Sequence, residues 1–233
     1  MIRFHPFPWG TPRTPMPARK KTNPAKSPRK KTGPPSRLDD ARARMYHDLV
    51  FESAECLFGE KGYEHATMQD IASEAGISLK TLYAAFPSKQ ELFEEIQHVR
   101  GQAFIEHVAA SASVDGSPED RLERLVAAYV GFLFAHRDWL KIHLQNRQSW
   151  GIRPSTAYAA DYWEQGLKHT ADLLGEGAEA GVFYEAEPFA AAALAQAVMQ
   201  VLVAQAVARD ETDPERTTRA IMVQLRRLLC PPR

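Results

Sequence analysis

The sequence of 233 residues predicts an all-α fold: a basic, proline-rich tail over residues 1–38, a three-helix helix-turn-helix domain over 39–88, and a larger helical domain over 89–233. Three observations carry this reading. Helix-start signals recur along the chain: Ser88 with Glu91 makes a full capping box, Thr67 with Asp70 a weaker variant, and Ser117-Pro118-Glu119-Asp120 adds a proline at the first turn. Apolar side chains between these signals repeat at i and i+4, the spacing of one helical face. Glycine or proline then stands where the stripes end, at Gly62, Gly76 and Pro87.

Residues 1–38 hold nine prolines, ten Lys and Arg and no acid, which predicts a disordered or polyproline-like tail. Its Ser27-Pro28-Arg29-Lys30-Lys31 run is similar to the Ser-Pro-basic-basic motif of linker-histone tails and suits an arm that tracks DNA. The plainer alternatives are a solvated tail or a true start at Met16. From Asp40 to Glu60, Leu49, Val50, Ala54, Leu57 and Phe58 form the stripe of a first helix. Thr67 caps a second helix, with Ile71 and Ala72 inward. Ser78 caps a third, in which Ile77 and Leu82 have the spacing of a hydrophobic staple and Leu82 and Phe86 share the inner face. Lys80, Thr81 and Ala84 then point outward, with Tyr83 at the flank. Helix, tight turn and helix in this order make a helix-turn-helix, whose second helix offers its N-terminal residues to base edges in the major groove.

A longer helix is expected from Lys89 to about Ala110, with Leu92, Ile96 and Val99 inward and Gly101 as a bend or an end. It links the reading head to the larger domain. On the helix that Ser117 starts, Leu122, Leu125, Val126, Tyr129 and Leu133 share one face. Two helical segments follow, Arg137 to Trp150 and Ser155 to Leu174, broken by Gly151 and Pro154. Gly175 to Glu187, with three glycines, reads as a loop. Phe189 to Arg209 contains nine alanines and is nearly apolar all round, which requires burial on most faces. Pro214 opens a last helix with Ile221, Leu225, Leu228 and Leu229 on one stripe.

A hydrophobic content of 44% and a charged content of 25% are ordinary for a soluble globular protein. No 18-residue apolar run is apparent for a membrane span, and the first twenty residues lack an apolar signal segment, so the expected location is cytoplasmic with no membrane partner. Cys56 and Cys230 lie far apart and away from any metal-ligand spacing, which predicts reduced thiols. The formal net charge is zero, yet the 195 residues after the tail carry 19 basic and 29 acidic side chains. Residues 39–90 hold five basic against nine acidic groups, a poor balance for approaching a polyanion, and the tail is placed to supply the missing charge.

The run from Val50 to Leu92 resembles the DNA-binding domain of the tetracycline-repressor (TetR) family. Ala54, Leu57-Phe58, Gly62-Tyr63, Thr67, Asp70-Ile71-Ala72, Ala75-Gly76-Ile77-Ser78, Thr81-Leu82-Tyr83, Phe86, Ser88-Lys89 and Leu92 fall in order at the family spacing without a gap, over about a fifth of the chain. The resemblance implies a homodimeric DNA-binding transcriptional regulator, most often a repressor. Its partners would be a double-stranded, inverted-repeat operator and a small effector that releases it. The DNA-binding residues so implied are Thr67, Ser78, Leu79, Lys80, Thr81, Tyr83 and Lys89, with Thr67 and Lys89 on the phosphate backbone. Ala84 and Ala85 depart from the pattern, because many members carry larger polar or aromatic residues there; fewer side-chain contacts to DNA are expected. In the family the last two helices pair with their copies in a second subunit. The small-sided helix at 189–209 suits that role, and a monomer core would look similar.

The segments from Arg137 to Leu174 are rich in large side chains with polar tips, among them His169. Two readings stand. One is a pocket for a small hydrophobic or aromatic ligand, lined by Trp139, His143, Trp150, Tyr158, Tyr162 and Trp163; the other is an ordinary core that fills its volume with rings. The eight histidines show no ligand spacing for a metal, and no cofactor is expected. There is no nucleophile elbow, phosphate loop, metal motif or pair of carboxylates on an apolar face. The alternatives to a ligand-responsive regulator are an architectural DNA-binding protein that ignores ligands and, furthest from the residues, an enzyme on the helical domain.

Overall fold

Nine α-helices and no strand make up the described residues of the computed structural model, which are 37–113, 115–145, 157–184 and 186–230. The helices are α1 (Arg37–Lys61), α2 (Met68–Glu74), α3 (Leu79–Ala85), α4 (Lys89–Ala112), α5 (Pro118–Ala135), α6 (Arg137–Gln145), α7 (Ala157–Glu179), α8 (Pro188–Ala208) and α9 (Pro214–Leu229). Side chains on α1 and α7 are described from residues 41 and 163 onward. The proposed arm and the break at Gly151 and Pro154 lie outside the described residues.

Local chemistry sets the first boundaries. Thr67 and Asp70 form the complete capping box: the Thr67 hydroxyl accepts from Asp70 N–H at 3.1 Å, and the Asp70 carboxylate accepts from Thr67 N–H at 3.1 Å. The Ser88 box is only half made: the Ser88 hydroxyl accepts from Glu91 N–H at 3.1 Å and donates to the Glu91 carboxylate at 3.1 Å. After α2 the chain closes with Ile77 N–H on Ala72 O and Gly76 N–H on Ser73 O. This pair of bonds needs a left-handed residue at Gly76, where φ is 65°.

The core of the first three helices is Val50, Phe51, Ala54, Leu57 and Phe58 of α1, Ile71 and Ala72 of α2, and Leu82 with Phe86, closed by Leu92 and Ile96 of α4. Two residues expected inside are not. Leu49 yields its place to Phe51, and Val99 points outward because Arg100, one turn after Ile96, takes the inner position. Gly101 does not end α4; it is buried within the helix.

In the larger part, α5 buries all five residues expected of it. α6 stops at Gln145. α7 runs through Gly175 and Gly177 to Glu179, so the expected loop starts later. Gly177 is there for close approach: a Cβ on it would stand 2.1 Å from the Phe183 ring. The chain turns at Gly181, with φ of 71° and the same paired closure, Val182 N–H on Gly177 O and Gly181 N–H on Ala178 O.

α8 packs between α7 and α9 through Ala191, Ala192, Ala195, Met199 and Val203. By length and composition this helix is apolar enough to cross a membrane, with a mean hydropathy of 1.7, a property that the core helix of a soluble protein can share. α9 buries Ile221, Met222, Leu225 and Leu229, while Leu228, expected inside, is exposed. Cys56 and Cys230 are not joined in a disulfide.

Candidate functional site

The reading head is built by capping and by two buried anchors. Ser78 caps α3, its hydroxyl accepting from Thr81 N–H at 3.1 Å and sharing a 2.8 Å hydrogen bond with the Thr81 hydroxyl. Leu82 is fully buried and Phe86 nearly so, which fixes the roll of α3 on the core. Lys80, Tyr83, Ala84 and Ala85 are then left exposed, and Thr81 half-buried. Leu79 does not join that outward face. It is partly buried and packs against the core as the step of the stripe before Leu82.

Thr67 is exposed, with its hydroxyl donated to Asp70 at 2.8 Å. These hydrogen bonds hold the Asp70 carboxyl below the usual carboxylate range. Lys89 differs most from expectation. Its Nζ donates to the carbonyls of Tyr63 at 2.7 Å, Ala66 at 3.0 Å and Glu64 at 3.4 Å, and lies 4.4 Å from the centroid of the Tyr63 ring. The turn between α1 and α2 leaves these oxygens without helical donors, and the first residue of α4 supplies one. The lysine is therefore a clamp between α4 and that turn.

Two further links were not read from the sequence. Glu55 and Arg100 form a partly buried ion pair between α1 and α4, with Nη2 to Oε2 at 2.8 Å and Nε to Oε2 at 2.9 Å. The available signal was an acid on the α1 stripe between Phe51 and Phe58. α1 also lies against α6: a Cβ on Gly59 would stand 2.8 Å from Asp138 O, and Gln145 Nε2 donates to Gly59 O at 2.7 Å.

The opposite side of α6 enters an aromatic cluster. Trp139 is buried, with ring centroids 4.6 Å from His143, 5.8 Å from Phe104 and 6.1 Å from Phe132. Phe104 lies 5.4 Å from Tyr129. The indole N–H of Trp139 donates to Gln97 Oε1 at 3.2 Å. Burial pushes the His143 imidazole down to about 4 and holds it neutral, and it pushes the Tyr129 phenol up.

The expected ligand set is thus joined in part. Trp139 and His143 meet, and Trp163 is partly buried against the core from α7. His169 is exposed and does not belong. Trp150 and the side chains of Tyr158 and Tyr162 lie outside the described residues. Phe104, Phe132 and Gln97 were missed; Gln97 and Phe104, seven apart, share one face of α4. Among the described residues, no group of three or more His, Cys, Asp or Glu is placed to hold a metal ion.

A capped reading helix with an outward polar tip, rigidly seated on a three-helix core, defines a helix-turn-helix DNA-binding protein. The pattern of bacterial regulatory proteins of the tetR family matches residues 50–96. The HTH-type transcriptional repressor KstR2 of Mycobacterium tuberculosis is 30% identical over 138 residues, which are 58% of this chain and 67% of that one. The chain belongs to the TetR family and is a DNA-binding transcriptional regulator.

Solved structures share the fold beyond the head. The ketosteroid transcriptional regulator KstR2 of M. tuberculosis has a TM-score of 0.67 at 21% identity, over 80% of this chain and 95% of that one. The fatty acid degradation regulator FadR of Bacillus halodurans has a TM-score of 0.65 at 21% identity, over 84% and 96%. A transcriptional regulator from Saccharomonospora viridis in complex with choline has a TM-score of 0.68 at 20% identity, over 80% and 98%.

Proposed function

We propose that the chain is a homodimeric, ligand-responsive repressor. Residues 39–88 of each subunit read one half of an inverted-repeat operator; residues 89–233 hold a small, largely apolar effector and the second subunit. Lys80, Thr81 and Tyr83 face bases or nearby phosphates, Ser78 and Thr67 approach the backbone, and the basic tail adds non-specific attraction.

The observation that carries this reading is α4. One unbroken helix, Lys89–Ala112, begins in the clamp beneath the reading head and reaches the aromatic cluster at Phe104. A ligand that favours one placement of α4 changes the spacing of two reading helices related by a two-fold axis. Typical coupling of this kind is about 1–3 kcal/mol. The names and contents of proteins with this fold, a ketosteroid regulator, a fatty acid degradation regulator and a choline complex, support a small organic ligand for the larger domain.

The test is to find the operator by footprinting DNA that flanks the gene, then to screen hydrophobic compounds by tryptophan fluorescence and measure operator affinity with each binder. Binders that lower affinity several-fold are expected. Good binders that leave it unchanged would remove the switch, and equal affinity for random DNA would favour an architectural protein.

A further inference from the structure

The larger domain contains a hydrogen-bond donor that the fold leaves unused. Gln97 Nε2 is buried, and it has no hydrogen-bond partner among the described residues. Its orientation is fixed, because the Trp139 indole N–H donates to Oε1 at 3.2 Å; a flipped amide would set donor against donor. A buried donor left unpaired costs about 1–3 kcal/mol, and such groups in folded proteins call for an explanation.

The surroundings restrict what could pair with it. Gln97 lies on the same face of α4 as Phe104, and the ring it touches, Trp139, is packed by Phe104, Phe132 and His143. None of these side chains carries a fixed charge. Arg100, one turn further along α4, is committed to Glu55. An anionic ligand group set here would be buried without a counter-charge, whereas a neutral acceptor would only complete the amide's hydrogen bonds.

Resting on the proposed effector function, we propose that Gln97 anchors the ligand: its Nε2–H donates to a neutral carbonyl oxygen on an otherwise apolar or aromatic molecule. Ketones, esters and amides share that chemistry; free carboxylates do not. The anchor sits where recognition can act on DNA. Gln97 belongs to α4, its other partner Trp139 belongs to α6, and α6 is tied to α1 by the Gln145–Gly59 hydrogen bond. A ligand oxygen on Nε2 loads the same α4–α6 junction that supports the reading head.

The experiment uses the full chain and matched probe pairs that differ only by a carbonyl in place of a methylene: fluorenone and fluorene, benzophenone and diphenylmethane, cyclododecanone and cyclododecane, with fluorene-9-carboxylate as the anion. Affinities are measured by calorimetry. At least one ketone is expected to bind about tenfold more tightly than its methylene partner, the effect of one well-placed hydrogen bond to a buried donor. The carboxylate is expected to be the weaker ligand. Gln97→Glu, assayed above the pH at which the buried carboxyl gives up its proton, keeps the acceptor for Trp139 and removes the donor, and should erase the ketone preference. Gln97→Met, of similar volume, removes the donor together with the acceptor for Trp139 and should erase the preference as well.

A direct readout needs no variant: a side-chain amide proton of Gln97 should move downfield with the ketone and not with its methylene partner. Equal affinities within every pair, a preference that survives in both variants, or an unmoved amide proton would overturn the anchor. The two proposals fail separately. Ketone and methylene compounds that bind equally and both lower operator affinity would leave the ligand response standing without the anchor. A Gln97-dependent preference with unchanged operator affinity would leave the anchor standing without the response.

Discussion

Lys80 and Lys89 carry the same charge into different surroundings, and their replacement by alanine separates two kinds of DNA-binding defect. Lys80 is exposed on the outward face of α3, free to approach a base edge. Lys80→Ala should cost about 1–3 kcal/mol on the operator and little on random DNA. Lys89 is held by the carbonyls of Tyr63 and Ala66, and hydrogen bonds from a charged group contribute about 1.5–3 kcal/mol. Lys89→Ala should therefore lower the urea midpoint and weaken operator and random DNA alike through a loosened head. A Lys89 variant with normal stability and a reduced salt slope would restore a phosphate contact instead. His143 gives a pH test. Unfolded, it takes a proton near 6.5; folded, burial holds it off until about 4. The unfolded state binds more protons in that window, so stability should fall as pH drops from about 6.5 to about 4 and be indifferent to this group above it. The loss is about 2–3 kcal/mol, allowing for the part of the residue that still meets solvent. Urea titrations at several pH values check this, and His143→Gln should flatten the profile.

Among the elements, the α1–α6 crossing joins the reading head to the domain behind it. A methyl at Gly59 would meet backbone at 2.8 Å, and backbone cannot swing aside, so Gly59→Ala must push the helices apart. Overpacking of this kind costs about 1–3 kcal/mol. Gly76→Ala is the contrast: its Cβ meets open space, and only the left-handed φ of 65° opposes it, at about 1–2 kcal/mol. Both should lower stability, but only Gly59→Ala should also weaken the effect of a bound ligand on operator affinity; equal coupling in the two would sink the α1–α6 route. These glycines also show what could be read from the chain. Caps, stripes and the recognition turn were legible because their partners lie within five residues. Gly175 and Gly177 were misread as a loop because the reason for Gly177, the Phe183 ring, follows after the helix has ended. Lys89 and Tyr63 are 26 positions apart and Glu55 and Arg100 are 45 apart, and no local pattern announces such pairs. Gln97 was passed over for the same reason, since only Trp139, 42 positions on, reveals that it faces inward.

At the scale of the whole molecule, α8 and α9 carry apolar surface that the described residues leave exposed. Only 28% of the apolar stretch of α8 is buried, and Phe189, Leu194 and Val201 are more than half exposed. On α9, Val223 and Leu228 are exposed too, although the sequence stripe placed Leu228 inside. A helix that is apolar on every face needs a cover on every face, and a second copy of the same pair would supply it in a symmetric interface. Leu194→Lys and Leu228→Lys, made together, test this. In a monomer both changes exchange an exposed apolar side chain for a solvated charge and should be nearly neutral in stability. In a symmetric dimer they would bring like charges into an apolar interface, where an unpaired charge is strongly unfavourable. The wild-type chain should sediment as a dimer at micromolar concentration and the double variant as a monomer with retained helix content. A lone reading head can engage only one half-site, so the variant should also lose most of its preference for an intact inverted repeat over a single half. A wild-type chain that sediments as a monomer, or a double variant that keeps both the dimer and the repeat preference, would assign the exposed face of α8 and α9 to something other than a second copy.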